Sequence, residues 1–101
     1  MGITKSISPD NRVITICVNG RFDINVFDEF NLAYKNVSPP GEKYVVDLAE
    51  TKFLDSAALG MLLLMRERLG RSSAGIVIAN CPPEIKRTLE TVGLHKLINI
   101  E

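Results

Sequence analysis

Residues 44 to 70, YVVDLAETKFLDSAALGMLLLMRERLG, constrain the fold more than any other stretch. Tyr44 to Leu48 is a short run, apolar apart from Asp47 and β-branched in its middle, and it stops at polar residues. Such a run suits a strand inside a sheet covered on both faces. Phe53-Leu54-Asp55-Ser56 reads as a loop. From Ala57 to Leu69 the apolar spacing is helical, and Gly70 provides the stop. The chain is thereby committed to a strand followed directly by a helix, with Asp55 and Ser56 at their junction.

The rest of the chain repeats that alternation. ITKSIS (3–8) and VITICV (13–18), separated by Pro9-Asp10-Asn11, predict an N-terminal hairpin. Asn19 to Asp23 reads as a bend. Phe27, Phe30, Tyr34 and Val37 then share one helical face, which Asp23 or Asn25 can cap and Pro39-Pro40-Gly41 ends. Ser72-Ser73 leads into a second buried strand, Gly75 to Ala79. Pro82-Pro83-Glu84 opens a helix with the stripe Ile85, Leu89 and Val92, stopped by Gly93, and Leu97 to Ile100 can close the sheet. The order β-β-α-β-α-β-α-β predicts one α/β domain over residues 1–101, a mixed, mostly parallel sheet with a hairpin at its N-terminal edge.

Composition narrows the function classes. Twelve basic and twelve acidic residues cancel, and no Lys or Arg run offers a track for phosphates, so nucleic acid is not expected as a partner. No segment is apolar for long enough to insert into a membrane, which predicts a soluble cytoplasmic protein. Cys17 and Cys81 are far apart without metal-ligand spacing, and no cofactor or metal site is expected. His95 is the one histidine, and no phosphate loop, nucleophile elbow or zinc motif is present. A triad of Ser56, His95 and Asp55 would need two of its members to be chain neighbours, a poor geometry. The expectation is that the protein is not an enzyme.

Ser56 reads as the N-cap of the helix that follows. Gly60, one turn further on, leaves its hydroxyl uncrowded, and a phosphoryl group there would sit at the positive end of the helix dipole. Asp55 beside it would repel the added charge and limit the gain. The consecutive charges Arg66, Glu67 and Arg68 leave the helix without a wholly polar face. Ala57, Met61, Leu64 and Arg68 form one stripe, while Leu59, Leu62 and Leu69 suit the core. Met61 and Leu64 either pack under a neighbouring helix or form an apolar partner surface beside Ser56.

At these residues the sequence resembles the STAS domain family (sulfate transporter and anti-sigma-factor antagonist), in particular its stand-alone bacterial anti-sigma-factor antagonists. The resemblance covers almost the whole chain and is carried by the hairpin, Gly20-Arg21-Phe22-Asp23, Val45-Val46-Asp47-Leu48 and Phe53-Leu54-Asp55-Ser56-Ala57-Ala58-Leu59-Gly60. It implies that Ser56 is phosphorylated by a serine kinase, often the anti-sigma factor itself, and restored by a serine phosphatase. It also makes Asp23 and Asp55 the acidic residues flanking the hydroxyl. Ala57 and Ala58 stand where antagonists commonly carry a small polar residue and a glycine. The implied function is a protein-binding switch in a monomer or weak dimer, with Asp23, Asp55, Ser56, Ala57, Gly60, Met61 and Leu64 as partner-binding residues. The alternative implied role is a STAS subunit of a membrane lipid transporter or of a sensory regulatory assembly.

Overall fold

The computed structural model describes residues 2–10, 12–35, 43–70 and 75–101. Val37, Pro39-Pro40-Gly41 and Ser72-Ser73 lie outside them. Strand β1 (Ile3–Ile7) pairs antiparallel with β2 (Val13–Val18), so the expected hairpin is present. Its turn is held by Ser8, whose hydroxyl donates to Asp10 Oδ1 (2.6 Å) and accepts from the Val13 amide. The Ser8 hydroxyl and the Arg12 amide, both donating to the Asp10 carboxylate, lower its pKa. Strands β4 (Lys43–Asp47), β6 (Ile76–Ala79) and β7 (Asn99–Ile100) continue the sheet in the order β1-β2-β4-β6-β7, each parallel to its neighbour beyond the hairpin.

Helix α1 (Phe27–Lys35) and helices α2 (Ser56–Arg68) and α3 (Pro83–Thr91) follow where the periodicity placed them. Asp23 caps the short 3-10 turn Ile24–Val26 that leads into α1, accepting from the Asn25 amide. Gly70 and Gly93 adopt φ of 94° and 81° just past α2 and α3, a left-handed conformation that a side chain resists. Pro82 and Pro83 open α3, where the missing amides are not needed by the helix.

One core joins the sheet to the helices. Ile14, Ile16 and Val18 of β2, Tyr44 and Val46 of β4 and Ile76 and Ile78 of β6 meet Phe30 of α1, Met61, Leu62 and Met65 of α2 and Leu89 of α3. The double cover that Tyr44 to Leu48 suggested is only partial: β6 buries Ile76, Val77 and Ile78 alike, but the strands beside it do not. Burial alternates along β2 and β4, with Tyr44, Val46 and Leu48 buried and Val45 and Asp47 only half-buried, because the strands lean their apolar side on the helices. Val92, expected in the α3 stripe, is 56% exposed, since it lies past the last helical residue.

The larger departure is a second, two-stranded sheet where loops were expected. Gly20–Phe22 (β3) pairs in parallel with Thr51–Leu54 (β5), matching Arg21 with Phe53 and Phe22 with Leu54. The Gly20 amide donates to the Glu50 carbonyl, and the buried Thr51 hydroxyl donates to the Val18 carbonyl at 2.8 Å, which ties the small sheet to the end of β2.

Candidate functional site

The small sheet ends at Asp23 on one strand and Asp55 on the other, and α2 starts from there. Asp55 is the N-cap: its backbone is extended (φ −121°, ψ −174°) and its Oδ1 accepts from the Ala58 amide at 3.1 Å. The expectation that Ser56 caps the helix is therefore corrected. Aspartate caps as well as serine does, and the extended residue is Asp55, so the carboxylate takes the amide and Ser56 becomes the first helical residue with an exposed side chain. Replacing Asp55 by alanine should destabilise the domain by about 1 kcal/mol, while serine at that position should keep most of the stability. Thermal melts of the two variants check this, and equal losses would assign Asp55 some other role.

Asp23 is 6% exposed and fully engaged: Oδ1 accepts from the Asn25 amide and Oδ2 from Arg21 Nε at 3.1 Å. The Arg21 guanidinium also lies over the Phe53 ring, 4.0 Å from its centroid. Arg21 is mostly exposed, so each contact is worth at most about 1 kcal/mol. Together they fix Phe53, itself 39% exposed, at the rim of the site.

Along α2 the exposed residues recur as Ser56, Gly60, Leu63 and Glu67, one helical face. Leu63 is 40% exposed, and Ile24, next to Asp23, is 63% exposed. These apolar residues, with Phe53, were missed by sequence reasoning. Of the two alternatives open for the expected stripe, Met61 takes the packed one, being 2% exposed and part of the core, while Leu64 and Ala57 are half-buried and only Arg68 is open. Most of the α2 circumference is apolar, so spacing could not tell which leucine faces water. Leu59 and Leu69 pack partly buried against the core and Leu62 is fully buried, as expected.

Gly60 is unusual. A glycine inside a helix costs about 1 kcal/mol relative to alanine. Yet a Cβ built there would meet nothing within 4 Å, so packing within the chain does not require it.

The remaining candidates show no converging chemistry. His95 is exposed on the turn Leu94–Lys96 and makes no side-chain hydrogen bond among the described residues. Burial pushes both cysteine thiols up: Asp47 adds to the effect at Cys17, while at Cys81 Lys86 opposes it and Glu90 adds to it. Among the described residues no cluster of His, Cys, Asp or Glu could hold a metal, and no helix is long and apolar enough to cross a membrane.

Comparison with known proteins agrees with this architecture. A family model described as "Mlab, STAS domain" matches residues 6–99. A STAS-domain containing protein of Pseudomonas aeruginosa (strain UCBPP-PA14) is 42% identical over 100 residues, spanning 99% of both chains. Among solved structures, a putative anti-sigma factor antagonist from Thermotoga maritima superposes with a TM-score of 0.78 at 19% identity, covering 97% of this chain and 84% of that one. The Bacillus cell fate determinant SpoIIAA in its phosphorylated form superposes at 0.63 with 16% identity, covering 98% and 90%. The match over nearly all residues, together with the mixed sheet, its N-terminal hairpin and the strand-to-helix junction at Asp55, means that the chain belongs to the STAS domain family.

Proposed function

We propose that the protein is an anti-sigma factor antagonist that works as a phosphorylation-controlled binding switch. Unphosphorylated, it docks an anti-sigma factor or related regulator on the face formed by Ser56, Ala57, Gly60 and Leu63 of α2, with Phe53 and Ile24 at the rim. A serine kinase phosphorylates Ser56 and releases the partner, and a serine phosphatase resets the switch. Its partners are proteins of the cytoplasm, and it performs no catalysis itself.

The observation that carries this reading is the exposed hydroxyl of Ser56 in the first turn of α2, relieved of capping by Asp55. A phosphoryl group can be added there without removing the cap. The amides of the first turn favour an anion by about 0.3–1 kcal/mol, and the nearby Asp55 carboxylate offsets part of that. The domain can thus carry the charge without refolding, while the surface around it becomes strongly anionic.

The test is the intact mass of the protein isolated from its own cells, before and after phosphatase treatment. The expected result is a phosphatase-sensitive increment of one phosphoryl group that maps to Ser56. Its absence under every growth condition would remove the switch and leave a constitutive binding module, such as a transporter subunit.

Gly60 supports a close approach by the partner's backbone. Gly60→Ala should raise stability by about 0.5–1 kcal/mol, because the space is open and helix propensity improves. The same variant should weaken partner binding. A variant that is more stable and binds unchanged would show that the partner docks elsewhere.

A further inference from the structure

The outer edge of the five-stranded sheet is open. β1 is its terminal strand, and four of its five residues are exposed. The Ser8 amide donates to the Val13 carbonyl and the Gly2 carbonyl accepts from the Asn19 amide. Even-numbered positions therefore direct their peptide groups at β2, and antiparallel alternation turns the N–H and C=O of Ile3, Lys5 and Ile7 outward. No strand meets them among the described residues. Beside this edge a groove of about 330 Å³ is lined by Ile3 and Lys5 of β1 and Glu29, Leu32 and Ala33 of α1. Ile7 and Leu32 are 44% and 55% exposed. Lys5 and Glu29 line that groove, and neither forms an ion pair among the described residues.

We propose that this edge is a self-association site whose occupant is β1 of a second copy, antiparallel about a two-fold axis through Lys5. Ile3-Thr4-Lys5-Ser6-Ile7 reads nearly alike in both directions, so Ile3 falls opposite the partner's Ile7 and Thr4 opposite the partner's Ser6. The outward peptide groups of each copy then complete the other's ladder. A lysine on an edge strand ordinarily guards it against pairing, and two lysines face to face repel. Glu29 reverses that here, because the two-fold brings two glutamates beside two lysines and lets each Lys5 reach the partner's Glu29. A register shifted by two residues moves the axis to Thr4 or Ser6 and sets Lys5 against an isoleucine, so only the axis through Lys5 keeps Ile3 opposite the partner's Ile7. This charge and sequence self-complementarity is what favours a second copy over a foreign peptide. A pair of five-residue strands buries less than a standard interface, so association is weak and concentration-dependent.

Sedimentation equilibrium of the full chain tests it. The weight-average mass should climb from that of one chain toward twice that value between about 10 µM and 1 mM, the behaviour of a small interface under mass action. Ile7→Pro removes one outward N–H while leaving the bonds to β2 intact, and should remain a folded monomer throughout. Lys5→Glu should also be monomeric, and Lys5→Glu combined with Glu29→Lys should regain the dimer. Wild-type protein that stays monomeric at the upper concentration, a dimer that survives Ile7→Pro, or a charge swap that fails to restore association would each overturn the proposal.

Discussion

Replacing Phe22 by alanine is expected to destabilise the domain by about 3–5 kcal/mol, the range for removing a buried aromatic ring. Phe22 has no exposed surface, and its ring lies 5.2 Å from that of Phe30, which meets Tyr34 edge-on at 5.8 Å. It is also the inward residue of a three-residue strand. Without it, little apolar surface holds β3 against the core, and the pairing of β3 with β5 carries the Asp23 and Asp55 ends of the site. Small domains are stable by only about 5–15 kcal/mol, so the loss is a large share of the whole. Urea unfolding followed by circular dichroism should show a lower midpoint with little change in slope. Phe22→Leu should lose distinctly less, because most of the volume is kept. A Phe22→Ala midpoint close to the wild-type value would show that β3 is held by its hydrogen bonds alone.

A phosphoryl group on Ser56 is expected to weaken partner binding by about 2 kcal/mol or more, roughly thirtyfold at 25 °C. The neighbouring side chains explain the size. Asp23 and Asp55 already supply negative charge, and Arg21 is engaged by Asp23 and Phe53. A further charge of about −1.5 to −2 on an apolar contact lined by Leu63 and Phe53 must be desolvated or excluded. In pulldowns from the organism's own extract, Ser56→Ala should retain the partner and Ser56→Asp should lose much of it. Aspartate carries less charge than phosphate, so its effect should be the smaller of the two. Equal retention by both variants would sink the switch and leave the transporter-subunit or assembly role as the better account.

Much of this was legible in the residues because the larger elements announce themselves by period. β2, the three helices and the parallel strands 44–48 and 75–79 each bury enough apolar surface for spacing to reveal them, β1 shows by its alternation before the turn residues, and the observed strands lie within a residue or two of the expected bounds. β3 and β5 were hidden for the opposite reason. They are three and four residues long, Arg21, Lys52 and Phe53 are exposed, and the pairing that defines them joins positions some thirty residues apart. At the site, the pair Asp55-Ser56 was recognisable but the division of roles was not. Either residue can cap a helix, and the choice rests on which backbone turns first. The exposure of Leu63 in place of Met61 was equally closed to inspection, since α2 is apolar nearly all round and its burial is decided by neighbours distant in sequence.

The position of Ser56 inside a folded helical turn also bears on how it can be modified. A kinase that grips its target as an extended strand cannot reach a serine whose backbone is already committed to α2 and anchored by Asp55. On the proposed switch, the kinase would have to recognise a three-dimensional surface, assembled from the β3 corner and the opening of the helix, instead of a linear motif. A short synthetic peptide copying residues 50–62 should therefore be a poor substrate, and loss of the fold should abolish modification even though the hydroxyl stays exposed. A switch built this way would be self-proofreading: only a correctly folded molecule could be switched off.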